Sequence, residues 1–210
     1  MEKIIVIVGG SFNPPTKAHL EMAKICKDRV KADLVIFVPT KADYMKEWKK
    51  YQNTQIIDEN KRVAALKSLE EDWLKVDTCE IDGLVSGSSY ETIQYIKDKY
   101  ETKSVYFGIG SDKLQEIPRW KNSEKLLSEE RFLLLARDHE NIDSAIESNE
   151  ELYMHRNAFI KCNNSESSYG ISSTLAREYL RNGSLHKLRG IVPYSVFVIL
   201  TNDTTNGDIK

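Results

Sequence analysis

The stretch GGSFNPPTKAHL, Gly9 to Leu20, constrains the fold more than any other part of the chain. An unbroken apolar run, Ile4 to Val8, precedes it and reads as a buried strand. A helix-period segment, His19 to Val30, follows it. A strand that empties through a glycine-rich turn into a helix outlines a phosphate site. Backbone N–H groups at the helix start point outward, and the helix dipole favours negative charge there. Gly9 and Gly10 let the backbone approach a ligand closely, while Pro14 and Pro15 stiffen the turn. His19, near the helix start, can face the same phosphate. A strand followed by two glycines, taken alone, would favour an ordinary strand-to-helix turn with a surface histidine.

The rest of the chain alternates strand and helix signals. In the first helix Met22, Ala23, Cys26 and Val30 share one face. Leu34 to Val38 is a second apolar strand, and Thr40 to Gln55 reads as a polar loop holding Tyr44, Lys46 and Trp48. A helix is expected over Asn60 to Leu69, then a strand over Leu74 to Ile81 and a loop from Gly83 to Ser88. Another helix runs to Tyr100. Ser104 to Ile109 and Arg131 to Ala136 read as strands, separated by short helices at Ser111 to Glu116 and Ser123 to Glu129. Asn141 to Tyr153 reads as helical and Ala158 to Cys162 as the last strand. Ser172 to Arg181 is a helix with a good N-cap, closed at Asn182-Gly183. Tyr194 to Leu200 is read as a helix and Asn202 to Lys210 as a frayed tail.

Such alternation implies a doubly wound α/β fold, a mostly parallel sheet covered on both faces. The 210 residues suffice for one large domain, expected over 1–210, with a short helical C-terminal part at about 172–200. Ligands in such sheets sit beyond the carboxyl ends of the strands. The GGSF turn, the loop after Val38 and the GIGSD turn after Phe107 should therefore border one crevice. Net charge is −2 with interleaved signs, which argues against a nucleic-acid or polybasic membrane surface. Cys26, Cys79 and Cys162 show neither metal spacing nor a disulfide framework and fit a reducing compartment. No run is long and apolar enough to span a membrane and no signal peptide is read, so a cytoplasmic protein is expected.

The turn lacks the G-x-G-x-x-G of nicotinamide-dependent dehydrogenases and the GK[ST] of P-loops. GGSFNPP, followed by Thr16-Lys17-Ala18-His19, instead resembles the opening of the nucleotidyltransferase superfamily, GG(T/S)F(D/N)P and (H/T)xGH. Ile171-Ser172-Ser173-Thr174-Leu175-Ala176-Arg177 resembles the ISSTxxR of nicotinate and nicotinamide mononucleotide adenylyltransferases. Gly108-Ile109-Gly110-Ser111-Asp112 with Pro118-Arg119-Trp120 is similar to that family's G-x-D…W segment. Ser89-Tyr90-Glu91-Thr92 resembles its substrate-side helix start, and Val192 to Val196 its closing P-x-x-V helix.

The resemblance implies a Rossmann-like nucleotidyltransferase fold and a division of labour. His19, Thr16 and Arg177 would be catalytic. Gly9, Gly10, Ser11, Phe12, Gly110, Asp112, Ile171, Ser172, Ser173 and Thr174 would hold ATP. Tyr44, Lys46, Tyr90, Glu91, Thr92 and Trp120 would meet a pyridine mononucleotide. The physics agrees: hydroxyls at a helix start bind phosphate, an arginine fork suits leaving pyrophosphate, and a tryptophan face suits a flat heterocycle. Asp112 as an N-cap and Trp120 as a core residue compete with these roles, the latter seriously, and Lys46 reads equally as a solvated lysine. Arg62 reads as a helix-surface charge, and His139, His155 and His186 as surface residues.

The sequence departs from the family at Thr16, in place of a histidine, at Ala18, in place of a glycine, and at Asn13, often an aspartate. The PPHK loop is absent, and Asp43-Tyr44-Met45-Lys46 is closer to DAYxK. The implied reaction is adenylyl transfer from ATP to nicotinate or nicotinamide mononucleotide, giving the dinucleotide and pyrophosphate in NAD biosynthesis. Mg²⁺ would be bound mainly through the ATP phosphates, and neither nucleic acid nor membrane is expected as a partner; a homo-oligomer is compatible with the chain. A phosphopantetheine adenylyltransferase-like or cytidylyltransferase-like enzyme is one alternative. A nucleotide-binding sensor of weak turnover is another.

Overall fold

Six strands form one sheet in the computed structural model, which describes residues 2–47, 55–136, 141–162 and 170–202. They are β1 (Ile5–Gly10), β2 (Leu34–Pro39), β3 (Leu74–Val76), β4 (Val105–Gly110), β5 (Arg131–Leu135) and β6 (Phe159–Cys162). Their spatial order is β3-β2-β1-β4-β5-β6, and every neighbouring pair is parallel. The apolar runs in β1 and β2 have no polar face because helices cover both sides of the sheet. Ile5 and Ile7 enter one core cluster with Ile93, Ile96, Phe107 and Phe132. Val6 and Val8 enter the other, with Ala23, Cys26, Leu66 and Val196. This is the period-two alternation of a strand, and each fully buried Val or Ile contributes roughly 1.5–3 kcal/mol.

The connections supply those helices. α1 (Lys17–Val30) joins β1 to β2; α2 (Ala42–Glu47) and α3 (Glu59–Lys67) lead to β3; α4 (Ser89–Lys99) leads to β4. A 3-10 helix over Ser111–Arg119 and α5 (Ser123–Glu129) precede β5, and α6 (Ile142–Glu147) and α7 (Glu150–Met154) precede β6. α8 (Ser173–Arg181), α9 (Leu185–Ile191) and α10 (Tyr194–Thr201) follow. The chain winds outward from β1 through β2 to β3, then returns to the other side of β1 as β4. The crevice beyond the carboxyl ends of β1 and β4 is the place where such a sheet accommodates a ligand. No helix among the described residues is long and apolar enough to cross a membrane.

Several expectations need correction. Part of the loop expected over Thr40 to Gln55 is the helix α2, while Trp48 lies outside the described residues, as do His139 and the tail beyond Asn202. The strand expected over Leu74 to Ile81 stops at Val76. Asp77 ends it: its carboxylate accepts the Cys79 N–H at 3.0 Å, and turns closed by Asp82 N–H to Thr78 and Leu84 N–H to Cys79 follow. Burial of Cys79 within that turn imitates a strand pattern. The helix expected over Asn141 to Tyr153 is two helices, because Asn149 caps a new one by accepting the Leu152 N–H at 3.1 Å. The 3-10 helix extends through Pro118 to Arg119. α9 lies within the expected helical C-terminal part but is not read from the sequence as a helix of its own; its Leu188 is fully buried in the cluster around Val6 and Val8.

Candidate active site

The turn after β1 is held by its carbonyls. Gly10 O accepts the Thr40 N–H at 2.9 Å, and Ser11 O accepts Arg62 Nη1 at 2.7 Å. Asn13 O accepts Arg177 Nη1 at 2.7 Å, and Pro14 O accepts the Ser173 hydroxyl at 2.8 Å. Asn13 is fully buried; its amide donates to Gln55 O and accepts the Ile57 N–H, both at 2.8 Å. Aspartate could not donate the first of these bonds, so asparagine has a structural reason to stand here. Phe12 adopts a left-handed φ of 41°, and its buried ring packs against Phe37 and His19, each with centroids 5.0 Å apart. Gly9 favours close approach, since a Cβ there would lie 3.1 Å from the Phe107 ring and press on it.

α1 begins immediately after the turn. Thr16 is fully buried at its N-cap, and its N–H donates to His19 Nδ1 at 3.0 Å. The Thr16 hydroxyl lies 2.8 Å from the same nitrogen. A backbone N–H can only donate, so Nδ1 presents its lone pair and the ring proton resides on Nε2. His19 is thereby set up as an Nε2–H donor. The structure directs the Thr16 hydroxyl to His19, not outward to a phosphate as its place in the motif suggested.

α8 meets the same turn from the other end of the chain. Ser172 caps it by accepting the Leu175 N–H at 3.2 Å, and Ser173 and Arg177 bond the turn as described. Arg177 Nη2 also donates to Thr174 Oγ1 at 3.1 Å. Ile171 and Ser172 are half-buried and Thr174 is exposed. The starts of α1 and α8 thus converge on Ser11 to Pro14, so two helix dipoles present their positive ends to one place.

The other residues singled out in the sequence lie on neighbouring elements. Gly110 ends β4, and a Cβ there would lie 2.5 Å from Asp112 Oδ1, so glycine leaves room for that carboxylate. Trp120 is half-buried and forms a T-shaped contact with Phe107, centroids 6.4 Å apart at 78°. Lys121 donates to Glu91 Oε1 at 2.6 Å, and Glu91 Oε2 accepts the Ser86 N–H at 3.0 Å. These bonds, the Lys121 one first, hold the Glu91 carboxyl down at about 2. The pair ties the Trp120 segment to the start of α4. Tyr90 donates its hydroxyl to Glu129 at 3.0 Å. Thr92 is buried, its hydroxyl donated to Glu80 at 3.0 Å, so it offers no surface to a substrate. Lys46 is exposed on α2 beside Asp43, 3.6 Å away. Tyr44 is on the same helix, its side chain outside the description.

Arg62 corrects the sequence reading most sharply. It is fully buried, not a surface charge, and its guanidinium lies under the turn. Burial lowers its pKa from the ordinary value, opposed by Glu59 and Asp58. The signal was present: Arg62 shares a helical face with Leu66 and Leu69, both buried.

Residues 7–179 match the family model described as cytidylyltransferase-like. A probable nicotinate-nucleotide adenylyltransferase of Staphylococcus epidermidis is 31% identical over 142 residues, covering 67% of this chain and 72% of the relative. One from Acholeplasma laidlawii is 29% identical over 142 residues, with 67% and 71% covered. The Plasmodium falciparum nicotinic acid mononucleotide adenylyltransferase complexed with NaAD superposes with a TM-score of 0.66 at 21% identity, covering 95% of this chain and 96% of that one.

Proposed function

The chain belongs to the cytidylyltransferase-like family and, within it, to the nicotinate-nucleotide adenylyltransferases, and we propose that its pyridine substrate is nicotinate mononucleotide. It is a nucleotidyltransferase, and the reaction is adenylyl transfer from ATP. The observation that carries the reading is the convergence of the Thr16–His19 and Ser173–Arg177 segments on one turn, across more than 150 residues of sequence. That arrangement suits a triphosphate whose α-phosphorus is attacked while pyrophosphate departs.

In the proposed mechanism an oxygen of the mononucleotide phosphate attacks the α-phosphorus. The new P–O bond forms as the bond to the β-phosphate bridging oxygen breaks, giving the dinucleotide and pyrophosphate. Catalysis is alignment and charge stabilisation, with no covalent enzyme intermediate. His19 donates from Nε2 to the phosphate chain, its tautomer fixed by Thr16 through Nδ1. Ser173, Thr174 and Arg177 receive the pyrophosphate at the start of α8. Asp112 meets the nucleotide ribose and Trp120 the pyridine ring. Mg²⁺, held mainly through the ATP phosphates and not by a cluster of protein ligands among the described residues, would supply charge neutralisation along the phosphate chain. The test is a pyrophosphate-release assay with ATP and each mononucleotide in turn. Turnover with nicotinate mononucleotide, and much weaker turnover with the amide, is expected; the reverse preference would overturn the substrate assignment.

A further inference from the structure

The short helix α2 is too brief to hold its own shape in water. Two features fix it: Met45 is fully buried, and the Ala42 N–H donates to Glu59 Oε2 at 2.7 Å. That same oxygen accepts Arg62 Nη2 at 3.3 Å, and Arg62 Nη1 donates to Ser11 O at 2.7 Å. The first N–H of α2 and a carbonyl of the phosphate turn are therefore the two ends of one hydrogen-bonded chain. Its middle is rigid. A guanidinium is planar, so its two Nη groups fix the spacing between Ser11 O and the Glu59 carboxylate. Arg62 has no exposed surface into which it could rotate. Asn13, through Gln55 and Ile57, ties the segment entering α3 to the same turn.

We propose that Glu59 is a positioning residue that, through Arg62, sets α2 and its Lys46 at a fixed place relative to the ATP-binding turn. The inference rests on the proposed mononucleotide substrate and on Lys46, which the family resemblance sets against that substrate, meeting its phosphate. A displaced α2 then weakens mononucleotide binding while the phosphate turn, still bonded by Arg177, Ser173 and Thr40, keeps its hold on ATP.

Ala42→Pro tests this without touching Glu59 or Arg62. It deletes the donor N–H at the first helical position, where proline is well tolerated, and otherwise restrains only the backbone of residues 41 and 42. The KM for nicotinate mononucleotide should rise roughly 5- to 10-fold, with kcat and the KM for ATP within about twofold of wild type. Glu59→Ala should show the same split. Glu59→Gln, which keeps an oxygen able to accept both bonds, should stay within about threefold of wild type. Lys46→Ala is measured beside them. A rise in mononucleotide KM for Lys46→Ala but not for Ala42→Pro overturns the relay alone. No rise in either overturns the contact of Lys46 with substrate, and the relay with it. A loss of kcat shared by all three relay variants, with both KM values unchanged, marks a structural role only and also overturns the proposal. Should Glu59→Ala fail to fold, the Ala42→Pro result decides by itself.

Discussion

Glu80 carries a pH dependence that can be isolated by one substitution. It lies between β3 and α4 with 9% of its surface exposed. Its carboxyl accepts the Thr92 hydroxyl at 3.0 Å, and Oε2 lies 4.0 Å from where a Gly87 Cβ would stand. Burial pushes its pKa from 4.5 up to about 7, against the smaller opposing effect of the Thr92 bond. The neighbouring charge does not relieve it. Asp77 is paired with Lys99 at 2.7 Å, and the buried Cys79 thiol is itself pushed up to about 12. Because the folded value lies above the unfolded one, the folded protein holds a proton that the unfolded chain releases between pH 4.5 and about 7. Stability therefore falls as pH rises through that window and levels off above it. At about 1.4 kcal/mol per pKa unit, the loss by pH 8 is about 3 kcal/mol.

Glu80→Gln keeps an oxygen for Thr92 and removes the ionisation. Urea unfolding at intervals from pH 4 to 8 should find the two proteins nearly equal at pH 4, below the unfolded value of 4.5. The variant should be more stable by up to about 3 kcal/mol at pH 8. Other titrating groups contribute alike to both and cancel in the difference; Glu91, held at about 2, lies outside the window. Parallel stability curves for the two proteins across this range would refute the reasoning.

Three further outcomes concern the active site. His19→Ala should lower kcat roughly 100-fold or more, the loss typical of one donor to developing charge, with little change in the thermal midpoint; an active, folded variant would contradict the role. Arg177→Lys can bond Asn13 O or Thr174 but not both with the planar fork, so kcat/KM for ATP should fall more than that for the mononucleotide; equal damage to both would contradict the clamp. Trp120→Ala should weaken nicotinate mononucleotide by about 1 kcal/mol or more in calorimetric titration and leave ATP nearly unaffected; unfolding instead would return Trp120 to the core against Phe107.

Strands and long helices were legible because burial leaves a periodic mark. β1, β2, β4 and β5 are apolar on both faces, and α8 announces its start with a capping serine, whereas α1 begins at Lys17, two residues before its expected start at His19. The errors fall where a local side-chain bond decides. Asp77 ends β3 by capturing the Cys79 N–H, and Asn149 splits one helix by capping the next. Hydropathy alone cannot weigh such a bond against one more residue of strand or helix. α9 escaped because its single buried leucine leaves too little pattern in seven residues.

At the site, the motifs identified where the residues gather but not which way each one faces. Read as a motif, Thr16, Ser173 and Arg177 are ligand contacts; in the fold, each also bonds His19 or a turn carbonyl. The two tasks are physically linked. A turn between strand and helix exposes carbonyls and N–H groups together, and a carbonyl facing a phosphate would repel it. The carbonyls of Gly10, Ser11, Asn13 and Pro14 are drawn onto Thr40, Arg62, Arg177 and Ser173, which on the proposed reading would remove that repulsion from a bound phosphate. The same argument explains a fully buried arginine in α3. Its cost in desolvation is offset by its bonds to Ser11 O and the Glu59 carboxylate. Only the three-dimensional path of the backbone brings Arg62 under Ser11, 51 residues away, which is why its helix position could mark it as inward-facing while its partner stayed unreadable.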